Sequence, residues 1–171
     1  SAFVFKTIDR DPAHWVITNS DTAVVGSGNL TLSRTTRPGG NWTYYASNQI
    51  LDWMLGGSLS LGATWYIGLS TTSIDTTLGT GATEPSGGSY ARVAVTNAST
   101  WDEWYDSGFY ANKVVISFPS PTSTWGRITH WFISDASSGG NIIAAGPLNR
   151  PYVVSGDGQP QFRKGAFQIQ L

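Results

Sequence analysis

Apolar and polar residues alternate with a period of two along most of this chain. In TWYIGLS (64–70), Trp65, Ile67 and Leu69 share one face, and Thr64, Tyr66 and Ser70 share the other. YARVAVT (90–96) sets Ala91, Val93 and Val95 opposite Tyr90, Arg92 and Thr96, and KVVISF (113–118) places Val114, Ile116 and Phe118 on one face. In AFQIQL (166–171), Phe167, Ile169 and Leu171 stand against Gln168 and Gln170. Successive side chains of a strand point to opposite faces, so each run predicts a half-buried antiparallel strand. EPSGG (84–88), SSGG (137–140) and SGDG (155–158) supply turn chemistry between them.

One segment switches to a helical period. In SNQILDWMLGG (47–57), Ile50 and Met54, joined by Leu51 and Leu55, form a stripe from which Gln49 and Asp52 are excluded. The pattern predicts a helix over 47–55, with Ser47 or Asn48 as N-cap and Gly56 in the left-handed position past the end. The expected fold is mainly β: an antiparallel β-sandwich or jelly-roll-like core with one short α-helix packed at an edge.

Residues 1–45 read differently from the rest. The β-like pieces FVFKTI, HWVIT, TAVV and LTLS precede a linker-like RTTRPGGN (34–41). We therefore expect an N-terminal arm or extra strands over 1–45 and a core domain over 46–171. Strand propensity without a place in the core suits a segment that pairs with a neighbour's sheet edge.

Composition narrows the function. Charged residues make up only 12% of the 171, against about 25% in an ordinary soluble domain. The net charge is −1 and the ten basic residues are scattered, which argues against a nucleic-acid partner, since phosphate binding needs clustered Lys and Arg. With no cysteine there is no disulfide framework, thiolate nucleophile or cysteine zinc site. No stretch approaches the roughly 20 apolar residues that span a bilayer, so no membrane partner is expected. SAFVFKTIDRD lacks the form of a signal peptide, and Ser1 is what trimming of an initiator Met would leave, giving an expectation of a complete small protein assembled in a cytoplasm. Eight tryptophans on so few charges suggest surfaces covered by partners, because solubility normally leans on charge.

The candidate catalytic group is His130, in TWGRITHWFISD (124–135). On a strand, Gly126, Ile128, His130 and Phe132 point one way, and Trp125, Arg127, Thr129, Trp131 and Ile133 the other. A general base would need an orienting carboxylate, but Asp135 lies about 17 Å further along an extended chain. His130 is therefore expected to be a largely buried, hydrogen-bonded strand residue. There is no G-x-S-x-G elbow and no glycine-rich phosphate cradle, and His14 has no second histidine at metal-pair spacing. STWDEWYDSG (99–108) gathers Asp102, Glu103 and Asp106 without the spacing of a calcium loop, so no metal and no cofactor are expected. Trp101 and Trp104 in that segment, with Trp125 and Trp131, are the expected interface anchors; a sugar stacked on Trp101 or Trp104 is the best small-ligand idea. Both faces of the His130 strand look apolar enough to need cover, one from the core and the other from a second layer or another subunit.

Five blocks occur in order: ILDWMLGG, YIGLSTT, EPSGGSYARVAVTN, STWGRITHWFISDASSGGNIIAAGPL and VVSGDGQPQFRKGAFQIQL. Over roughly 46–171 they make the chain resemble a family of small virion proteins of tailed bacteriophages, whose members are labelled tail fibre or capsid decoration proteins. The resemblance implies a non-enzymatic structural component of the virion. The chain has no room for a long fibre shaft, and a neutral, aromatic-rich domain with an arm suits a lattice. The expected role is thus a capsid cement or decoration protein, working as a homo-oligomer (a trimer) on the major capsid protein. The alternative is a tail-fibre or adhesin module binding host-surface carbohydrate.

Overall fold

The computed structural model describes residues 15–19, 30–34, 40–62, 64–104, 109–156 and 158–170. The chain divides into two compact units. The first holds a hairpin in which β1 (Trp15–Asn19) pairs antiparallel with β2 (Leu30–Arg34), Ile17 standing opposite Leu32. The strands expected from HWVIT and LTLS are present; FVFKTI and TAVV lie outside the described residues.

The second unit spans Gly39–Gln170. In chain order it contains β3 (Asn41–Trp42), α1 (Tyr44–Met54), β4 (Thr64–Ser70), β5 (Val93–Thr96), the single-turn α2 (Asn97–Thr100), β6 (Trp101–Trp104) and β7 (Phe109–Asn112). There follow β8 (Ile116–Ser117), β9 (Gly126–Ser134), β10 (Ile142–Val154), β11 (Gln161–Phe162) and β12 (Gln168–Gln170). Five strands form an antiparallel sheet in the order β3-β10-β9-β4-β5, with β12-β7-β6 and β11-β8 as smaller sheets.

Alternation explains why these sheets face each other. Ile67 and Leu69 of β4, Ile133 of β9 and Val95 of β5 enter the same apolar core as Trp101, Ile116, Phe118 and Phe167 from the smaller sheets and their flanks. Each fully buried Ile or Phe contributes roughly 1.5–3 kcal/mol. The architecture is the expected one, mainly β and sandwich-like, built from antiparallel sheets with one substantial helix.

Local chemistry moves several boundaries. α1 starts at Tyr44, one turn before the expected cap, because the Thr43 hydroxyl accepts from the Ala46 amide. The same hydroxyl donates to the Ile142 carbonyl at 2.6 Å, which ties the helix start to β10. At the other end Gly56 adopts φ +96°, the left-handed stop expected there. The run 113–118 shortens to Ile116–Ser117 because the Asn112 side chain donates to the Val114 carbonyl and bends the chain, leaving Val114 and Val115 exposed. The β9–β10 register shifts between Ile128 (opposite Tyr152) and His130 (opposite Pro147), and Ile128 joins Trp125, Trp131 and Ile133 in the main core instead of sharing the face of Phe132.

The second face of the main sheet is covered by this chain's own residues. Ile74 and Ala82, from the loop after β4, pack on Phe132, Ala145 and Ile142. Ser70 pins that loop by accepting from the Thr83 amide at 3.0 Å and donating to the Thr72 carbonyl at 2.9 Å. Of the two expected sources of cover, a second layer or another subunit, the segment 71–84 supplies a second layer over Phe132 and Ala145.

Candidate functional site

His130 projects from β9 opposite Ser70 of β4 and Pro147 of β10. Its Nδ1 lies 2.8 Å from the Thr129 hydroxyl. It is half-buried, less enclosed than expected, and partial desolvation lowers its pKa. Asp135 is engaged elsewhere, accepting from the Asn141 amide at 2.7 Å, the Asn141 side chain at 2.9 Å and the Tyr45 hydroxyl at 3.1 Å. The Asn141 and Tyr45 bonds outweigh partial burial and hold its carboxyl below the usual carboxylate range. Ser70 is the serine nearest in register, but its hydroxyl serves the covering loop and makes no hydrogen bond to His130. Among the described residues no nucleophile–base–carboxylate chain forms at His130.

A polar cluster that sequence reasoning missed sits above Phe132. Arg92 grips Glu84 with two bonds, Nε to Oε1 at 3.0 Å and Nη2 to Oε2 at 2.8 Å. Its Nη1 donates to the Ala136 and Gly139 carbonyls at 2.7 and 2.8 Å, and the guanidinium lies 4.9 Å from the centre of the Phe132 ring. Tyr90 donates to Glu84 at 2.8 Å and accepts from the Leu69 amide, and burial pushes its pKa far up. The signal was an acid and a base flanking the PSGG turn. Strand alternation put Tyr90 and Arg92 on one face, whereas the chain folds back there, so Tyr90 joins the main core and Arg92 the second layer.

The four expected tryptophan anchors are differently placed. Trp101 is 8% exposed and packs on Phe167, ring centres 5.9 Å apart. Trp125 is 4% exposed, meets Tyr90 edge-on at 5.2 Å and donates its indole N–H to the Gly88 carbonyl. Trp131 is half-buried against Phe167 at 4.8 Å. The side chain of Trp104, like those of Asp102, Glu103 and Asp106, lies outside the described residues. Trp101 and Trp125 are thus enclosed by their own chain and offer little surface to a partner.

Apolar surface is exposed instead at the end of α1. Leu51, Trp53, Met54, Leu55 and Leu59 are each at least half exposed, and Leu55 reaches 86%. Every residue from 51 to 60 is exposed. The clue in the sequence was the outward helical stripe of Tyr44, Leu51 and Leu55, positions that carry polar residues on an ordinary surface helix.

Among the described residues no group of three His, Cys, Asp or Glu side chains could hold a metal ion, and no helix is long and apolar enough to cross a membrane. No curated protein matches the chain. A family model described as Podophage GP4 fiber I protein gp80 matches residues 41–170, nearly the whole second unit. The chain belongs to this family, a tailed-phage virion protein family of the tail-fibre type.

Proposed function

We propose that this protein is a non-catalytic structural part of a tail fibre. The family match across 41–170 carries the reading, because it spans all three sheets of the second unit and α1. The engagement of His130, Asp135 and Ser70 in structural hydrogen bonds supports a scaffold rather than a catalyst. The printed description of the matching family, a fiber protein, is what favours the fibre over the cement role.

Gold-labelled antibody against the protein, applied to intact virions and viewed by electron microscopy, tests this placement. Label confined to the tail agrees with the proposal. Label spread over the head lattice overturns it in favour of cement. A purified protein that hydrolyses host-surface glycans, with activity abolished by His130→Gln, would overturn the non-catalytic part.

A further inference from the structure

We infer that the exposed C-terminal turn of α1 is a self-association surface, on which a second copy of this chain docks patch against patch. The inference stands apart from where the virion carries the protein.

The helix has apolar residues on both sides. Ala46 is fully buried, Tyr45 and Ile50 pack on the sandwich core, and Tyr44, Leu51 and Leu55 point outward. Trp53 continues the inner stripe of Ala46 and Ile50, yet is 57% exposed, because the helix has run past the edge of the core. Past Asp52 the helix ends in three successive apolar side chains, Trp53, Met54 and Leu55, and exposed apolar patches of this kind mark interaction surfaces. Half of the cover comes from the sandwich, and none of the described residues supplies the other half.

The projecting turn is also built to hold its shape. The Leu55 amide donates to Leu51 O at 2.9 Å, Gly56 N to Trp53 O at 3.1 Å and Gly57 N to Asp52 O at 2.8 Å. Gln49 reaches forward to accept from the Ser60 amide at 3.2 Å. Local bonds therefore order a segment whose apolar side chains are half or more exposed, and such preorganisation lowers the entropic cost of docking.

Charge and area select the occupant. From Pro38 to Ile74 the sequence contains one charged residue, Asp52. An oppositely charged partner has nothing to read there, whereas a symmetric contact brings like groups together and tolerates only a patch nearly free of charge. Leu51, Trp53, Met54, Leu55 and Leu59 together leave on the order of 600 Å² of apolar surface open, at the top of what isolated monomers carry. That approaches the roughly 800 Å² per partner of a stable interface, with Trp and Met, two residue types enriched at interface centres.

The test uses the full chain. Sedimentation equilibrium should give a multiple of the monomer mass, and the double variant Leu51→Glu/Leu55→Glu should sediment as a monomer with an unchanged circular dichroism spectrum. Because the chain has no cysteine, Leu55→Cys reports proximity directly. Mild oxidation should convert it to a disulfide-linked dimer, while Val115→Cys, exposed elsewhere, should stay uncrosslinked. A monomeric wild-type protein overturns the inference. So does an oligomer that fails to crosslink at position 55, or that crosslinks equally at 55 and 115, whether or not the glutamate variant folds.

Discussion

Adding one methyl group at Gly68 should destabilise this protein by about 3 kcal/mol, the upper end of the range for overpacked cores. Gly68 pairs with Phe132 across the β4–β9 ladder, and the fully buried Phe132 ring lies over it. A Cβ at position 68 would stand 2.2 Å from Cζ and 2.7 Å from both Cε atoms of that ring. The ring would have to retreat by roughly 1 Å to restore ordinary contact, and packed interiors give way reluctantly. Its exits are closed by Ile74 and Ala145 and by the Arg92 guanidinium, which Glu84 and two carbonyls hold in place. For a protein of this size each kcal/mol lowers Tm by about 2–4 °C, so Gly68→Ala should melt about 6–12 °C below wild type. Urea denaturation of the two proteins, with Phe132→Leu and the double variant, measures both cost and cause. Phe132→Leu alone should cost about 1–2 kcal/mol, but in the Gly68→Ala background much of that cost should vanish, giving a coupling of about 1 kcal/mol or more. A Gly68→Ala protein within about 0.5 kcal/mol of wild type refutes the steric argument, and so do strictly additive effects.

Two further outcomes follow from the polar groups. Glu84→Gln keeps the size of the side chain but strips the counter-charge from Arg92, whose side chain is 7% exposed. The loss should be about 2–3 kcal/mol in urea denaturation, below the cost of a fully buried pair because Glu84 is itself 30% exposed. His130 has a folded-state pKa below its ordinary value of 6.5, so the unfolded chain takes up the proton first. Its contribution to stability is present above pH 6.5 and is lost as pH falls through the folded pKa. His130→Gln should therefore remain folded and flatten the rise in stability from the folded pKa up to the ordinary histidine value of 6.5; an unchanged slope in stability against pH would show that His130 is not its source.

Much of the fold was legible in the residues because strand and helix periods are local. The run 64–70 alternates without interruption and is strand β4 from end to end. Gly56 marked the end of α1, since a left-handed stop depends on one residue's freedom at φ. The low charge and the virion family were also readable, the latter from five ordered blocks distributed across the matched region.

Tertiary structure decided whatever depends on residues far apart in the chain. Alternation said that β9 needed cover on two faces but could not say whose; the answer lies in Ser70 and the loop it pins, about 60 positions away from Phe132. Tryptophan content suggested anchors, yet Trp101 and Trp125 are turned inward because Phe167 and Tyr90 come from distant segments to enclose them. The same geometry left Leu51, Met54 and Leu55 in the open, since the sandwich edge ends before α1 does. Apolar residue types are fixed by sequence, but exposure is fixed by where the opposing surface stops, and no local pattern encodes that boundary.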